Sequence, residues 1–135
     1  MIPVNTPLFI GNEKKYLNDC IDSGWVSSEG QYVKKFEKAL SGYYDKKYAV
    51  AVTNGSVALD LAVEALELSP GDEVILPSFT IISCLSPILR NNLIPVLIDQ
   101  DISSWNMEVN LIEKLITPKT KAKMVVHIYG LPVEM

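Results

Sequence analysis

One histidine, one arginine and two cysteines are spread over 135 residues, and none stands in a pattern that metal or redox chemistry needs. Cys20 and Cys84 lack CxxC or Cys/His spacing, so no metal site is expected and buried free thiols in the cytoplasm are the reading. No GxGxxG follows a strand, which ranks a nucleotide-binding Rossmann domain low, and no glycine turn carries a Walker lysine. Basic residues are outnumbered 12 to 16 for a net charge of -4, and the lysines are scattered, so a nucleic-acid surface is not expected. The longest apolar run, Ile81 to Leu89, is broken by Ser83, Ser86 and Pro87 and is too short to span a bilayer. Pro3 and Pro7 occupy an amino terminus with no basic stretch before an apolar one, so no signal peptide is expected.

What the chain does have is 48% hydrophobic content, enough for a real core. Helical periodicity appears in Glu13 to Ile21 and again in Gln31 to Leu40. Between them Ser23 to Gly30 is rich in small and hydroxyl residues yet carries Trp25, for which packing is favoured over binding. From Tyr48 onward strands alternate with helices. The expected order is strand 48–53, helix 57–68, strand 73–76, helix 81–90, strand 94–98, helix 108–116 and strand 123–129. Such alternation means a largely parallel α/β sheet.

The clearest chemical feature is the turn Asn54-Gly55-Ser56, where a β-branched run ends and a helix begins. Unpaired N–H groups and a hydroxyl converge there, which suits a phosphate, although Asn54 or Ser56 capping an ordinary helix fits the same residues. Pro77 to Ile81 follows the next strand to the same sheet edge, where open α/β sheets bind ligands. Asp99-Gln100-Asp101 and the Tyr129-Gly130 turn are expected at that rim as well, with ordinary turn chemistry as the alternative for either. His127, near the end of an apolar strand, reads as a hydrogen-bonded core residue rather than a proton carrier. Trp105-Asn106-Met107 reads as packing ahead of the next helix.

Asn54 to Leu59, Pro70 to Ile75 and Pro77 to Thr80 resemble the DegT/DnrJ/EryC1/StrS sugar aminotransferases, which are pyridoxal 5'-phosphate (PLP) enzymes of fold type I. Gly24 to Gly30 resembles the GW(I/V)SSxG loop of members that make perosamine, and Val126 to Met135 resembles their VHxYGxPVDM segment. The resemblance runs from end to end. It implies that Gly55, the Ser56 hydroxyl and the Val57 N–H hold the cofactor phosphate, with Ser56 where relatives usually have Thr. It puts Ile81 over the pyridine ring, and Trp25, Ser27 and Ser28 beside a nucleotide-sugar pocket.

The resemblance implies residues 1–47 as an N-terminal helical segment with a substrate loop, and 48–135 as the first part of the PLP-binding large domain. The implied activity moves an amino group from glutamate to the 4-keto carbon of a nucleotide-linked 6-deoxy sugar. GDP-4-keto-6-deoxymannose is favoured over a thymidine-linked sugar, and the product serves surface polysaccharide or O-antigen synthesis. The full-length enzyme is expected to be a cytoplasmic homodimer. The cofactor-holding lysine and the acid that keeps the pyridine nitrogen protonated are expected beyond Met135. No catalytic residue is therefore assigned within the chain, which alone should be inactive and prone to aggregate. The alternatives are a non-catalytic phosphate- or partner-binding module and a PLP-dependent sugar dehydratase of the same family.

Overall fold

The computed structural model describes residues 2, 3 and 5–135, which form two compact units, Met1–Ala51 and Val52–Met135. In the first, helices α1 (Glu13–Ser23) and α2 (Gln31–Tyr43) are joined by the 24–30 loop. Helix α1 stops because Gly24 turns left-handed, with φ at 73°, and returns its N–H to the Ile21 carbonyl, a stop that favours glycine. The helices are tied by the Tyr32 hydroxyl, which donates to Asp19 at 2.8 Å, and by the Tyr16 and Tyr32 rings 5.0 Å apart. That hydrogen bond to a carboxylate pushes the Tyr32 hydroxyl up to about 12.

The second unit is built on three parallel strands, β1 (Glu73–Pro77), β2 (Ile94–Ile98) and β3 (Thr120–Lys123), in the order β2-β1-β3. Helices α3 (Gly55–Glu64) and α4 (Ile82–Arg90) and the one-turn α5 (Ile112–Leu115) complete it. Alternation along β1 sorts the core into two layers. Val74 and Leu76 pack with Val63 of α3 and with Cys84 and Ile88 of α4. Ile75 points the other way, into Ile98, Met107 and Val133. Each fully buried aliphatic side chain contributes roughly 1.5 to 3 kcal/mol. The parallel α/β sheet flanked by helices is the one expected, and β2 lies where the sequence put it.

Four segments differ from expectation. Residues 48–53 form no strand: Tyr48 and Val50 are exposed, and the Ala51 N–H donates to the Glu37 carboxylate at 2.9 Å instead of to a neighbouring strand. Helix α3 ends at Glu64 rather than Leu68, because the Leu66 and Glu67 N–H groups bond three residues back and Glu67 adopts a φ of 51°. The expected helix 108–116 is a 3-10 turn, Val109–Leu111, followed by α5; Glu108 accepts from the Asn110 backbone and side chain, which holds a turn in place of a helical start.

The last strand begins earlier and ends earlier than 123–129. Glu73 donates to the Lys119 carbonyl and Ile75 accepts from the Met124 N–H, so the odd residues of β1 serve β3. The next odd residue is Pro77, which has no N–H to give, and the ladder stops. Beyond it, residues 128–130 make a tight turn with Tyr129 at φ 49° and Gly130 at φ 86°.

No helix among the described residues is long and apolar enough to cross a membrane. Cys20 and Cys84 are free, with Cys84 buried and its sulfur accepting from Thr80 at 3.2 Å.

Candidate functional site

The rim of the second unit is assembled from the carboxyl ends of β1 and β2, which are level because Pro77 pairs with Ile98. Ser78 donates its N–H to the Ile98 carbonyl at 2.9 Å and closes the first rim loop onto the second strand. The Gln100 carboxamide, oriented by its partners, accepts from the Phe79 N–H at 2.6 Å and engages Ser78. The expected convergence of the 77–81 and 99–101 loops is therefore a hydrogen-bonded junction.

Helix α4 leaves this junction, and α3 lies beside it. Arg90 at the end of α4 places Nη1 2.6 Å from both carboxylate oxygens of Asp60 on α3, a half-exposed pair worth about 0.2 to 1 kcal/mol. At the other end of the two helices the Ser56 and Ser83 hydroxyls meet at 2.7 Å. Two helix amino termini, each carrying partial positive charge, are thus joined by a hydroxyl pair.

Asn54 is the helix cap: its side-chain oxygen accepts from the Val57 N–H at 3.0 Å, and its carbonyl accepts from Ala58. That decides the capping alternative, and it commits one donor that the resemblance assigns to phosphate. The N–H groups of Gly55 and Ser56 have no acceptor among the described residues, and a Cβ built on Gly55 meets nothing within 4 Å. The donor set open to an anion is therefore two amides and the exposed Ser56 hydroxyl. Its chemistry fits a phosphate, with the Val57 N–H joining only if Asn54 releases it. Ile81 immediately precedes α4 and is 65% exposed, so its side chain is open to a ligand above that helix end.

In the first unit, Trp25 and Ser27 share a groove of about 240 Å³ with Leu17, Cys20 and Tyr32, while Ser28 is exposed outside its lining. Trp25 is 54% exposed, and the loop closes tightly behind it. Gly30 is buried, and a Cβ there would stand 3.1 Å from the Ser27 carbonyl and 3.3 Å from that of Trp25.

His127 has an exposed side chain rather than a core one, and its Nδ1 accepts from the Val133 N–H at 2.9 Å, which places the proton of the neutral ring on Nε2. Trp105 packs edge-on against Phe79 with ring centres 5.4 Å apart. Sequence reasoning took Asn106 as packing and missed that this buried side chain holds the 128–132 segment by hydrogen bonds, and it missed Ser83 altogether. Ser83 carried one usable signal, a hydroxyl in the first turn of a helix entering the same rim.

Asp101 folds its own loop. Its carboxylate accepts from the Ser103 hydroxyl at 2.5 Å and from the Ser104 N–H at 2.7 Å, and these bonds hold its pKa down to about 2. A depressed carboxylate stabilises the loop fully above its unfolded pKa of about 3.9 and loses that contribution as pH falls toward the folded value. Carboxyl-carbon NMR is expected to show the Asp101 midpoint near 2. Ser103→Ala should raise it; an unmoved midpoint would contradict the assigned cause.

The sequence profile of the DegT/DnrJ/EryC1/StrS aminotransferase family matches residues 9–135. The chain is 47% identical over 134 residues to the GDP-perosamine synthase of Escherichia coli O157:H7, covering 99% of this chain and 37% of that protein. Among solved structures it resembles the PLP form of a putative sugar aminotransferase, Spr1654 from Streptococcus pneumoniae. That match has a TM-score of 0.86 and 32% identity, over 98% of this chain and 34% of the other. A GDP-4-keto-6-deoxymannose-3-dehydratase with a trapped PLP-glutamate geminal diamine matches with a TM-score of 0.87 and 29% identity, over 97% of this chain and 35% of its own. The chain thus spans about a third of the length of these relatives.

Proposed function

The chain belongs to the DegT/DnrJ/EryC1/StrS aminotransferase family, and from that premise we propose that the protein carrying it is a PLP-dependent aminotransferase of a nucleotide-linked sugar. The reading assigns glutamate as amino donor and the 4-keto carbon of a GDP-linked 6-deoxy sugar as acceptor, in the synthesis of a surface polysaccharide such as O-antigen. The 47% identity to a GDP-perosamine synthase, sustained over nearly the whole chain, is the observation that carries it.

Gly55 and Ser56 hold the cofactor phosphate in this reading through the two amides and the hydroxyl, and Ile81 covers one side of the ring with aliphatic surface. Val57 contributes its N–H once the Asn54 oxygen turns away. Bound PLP supplies an electron sink for the carbon that exchanges its amino group. Trp25, Ser27 and Ser28 belong to the loop assigned to the nucleotide sugar, in an N-terminal segment 1–47 that precedes the PLP-binding part, 48–135. All of the chain's lysines are exposed, and none is assigned to hold the cofactor. The full-length protein is read as a cytoplasmic homodimer.

The test is turnover of GDP-4-keto-6-deoxymannose with L-glutamate by the full-length protein, following 2-oxoglutarate and identifying the sugar product by mass. An amino sugar is the expected product, with the thymidine-linked 4-keto sugar turned over more slowly. A 3-deoxy sugar would move the protein to the dehydratase reading, and phosphate binding without turnover would favour a non-catalytic module.

A further inference from the structure

We propose that Ser83 is a positioning residue for the Ser56 hydroxyl, fixing the direction in which Ser56 donates to the anion. The inference rests on the phosphate reading of the 54–57 turn. A serine side chain at the start of a helix can rotate among staggered positions, and serine lacks the second Cβ substituent that stiffens threonine. Ser56 is exposed, and among the described residues its hydroxyl has Ser83 Oγ as its hydrogen-bond partner at 2.7 Å, the usual length for an O–H···O bond. Ser83 is in turn fixed by α4, whose Cys84 and Ile88 are buried against the sheet.

Proton counting sets the direction. Two hydroxyls in contact share one of their two protons, and each oxygen can also accept. With Ser83 as donor, the Ser56 oxygen accepts and its own proton is released toward the space in front of the Gly55 and Ser56 amides. The order is then Ser83 O–H to Ser56 O–H to anion oxygen, and each bond polarises the next. The reverse order would spend the Ser56 proton on Ser83 and leave the anion facing a lone pair. An anion therefore selects the first arrangement.

Pyridoxamine 5'-phosphate is a suitable probe because its binding needs no covalent bond to a lysine, and pyridoxamine without the phosphate is its control. Its dissociation constant would be measured on the full-length protein and on Ser56→Ala, Ser83→Ala, the double variant and Ser83→Thr. Ser83→Ala is expected to weaken the phosphorylated probe about 3- to 10-fold, as for one neutral hydrogen bond. It should add nothing in the Ser56→Ala background, and Ser83→Thr should retain tight binding. Pyridoxamine should bind all variants alike. Unchanged affinity in Ser83→Ala, an equal loss in the Ser56→Ala background, or a matching loss of pyridoxamine would each overturn the positioning role. If Ser56→Ala itself changes nothing, the phosphate reading of the turn has failed; if only Ser83→Ala is silent, that reading stands and Ser83 alone is excluded.

Discussion

Ser56→Ala in the full-length protein is expected to weaken pyridoxamine 5'-phosphate by about 10- to 100-fold, the equivalent of one hydrogen bond to a charged group at roughly 1.5 to 3 kcal/mol. The magnitude follows from the donor set. With the Val57 N–H taken up by Asn54, the Ser56 hydroxyl is one of three open donors rather than one of four, and its loss removes a larger share of the site. The KM for the nucleotide sugar should change far less, because the loop assigned to it, 24–30, is a separate stretch of chain. A second variant sharpens the argument: Asn54→Ala releases the Val57 N–H while removing the cap, so it should cost about 1 kcal/mol of stability and yet leave the phosphate an extra donor. An unchanged cofactor affinity in Ser56→Ala would reject the assigned role.

Local features of this site were legible in the sequence, and relations between distant segments were not. The 54–57 turn could be read because a glycine and a hydroxyl at a helix start act through their own backbone. The partition of its amides could not, because Asn54 and Ser56 are equally good caps on paper and the choice depends on side-chain rotation. Ser83 is 27 residues from Ser56, and only the packing of α3 along α4 brings the two hydroxyls together.

The fold divides in the same way. β1 and β2 are apolar runs bounded by turn residues, and they emerge at or within a residue of the expected limits. β3 does not, since its length is decided by a partner: Pro77 on β1 ends the ladder, while Met124 to Val126 keep the apolar character that made them look like strand. The run Tyr48 to Thr53 has strand composition, but a strand exists only where another backbone accepts its hydrogen bonds, and a helix carboxylate takes the one at Ala51.

Asn106→Ala is expected to cost roughly 1 to 3 kcal/mol and to release the segment from Ile128 to Val133, because three part-buried hydrogen bonds made by one buried side chain vanish together. Asn106 is 5% exposed, and its Nδ2 donates to the Leu131 carbonyl at 3.0 Å and the Pro132 carbonyl at 3.2 Å. Its Oδ1 accepts from the Ile128 N–H at 3.1 Å. A truncated side chain leaves those backbone groups without partners next to Met107 and Val133, both in the second core layer. Urea unfolding would give the stability loss, and amide exchange should show lost protection at Ile128. Asn106→Asp separates the donor from the acceptor role: it keeps an oxygen for Ile128 but sets a carboxylate against two carbonyl oxygens. Burial and those oxygens favour its neutral form, so the Asn106→Asp penalty should be greatest at neutral pH and shrink as pH falls through the raised pKa. A penalty that stays constant with pH, or an alanine variant as stable as the parent, would show that the 128–133 segment is held by its apolar contacts alone.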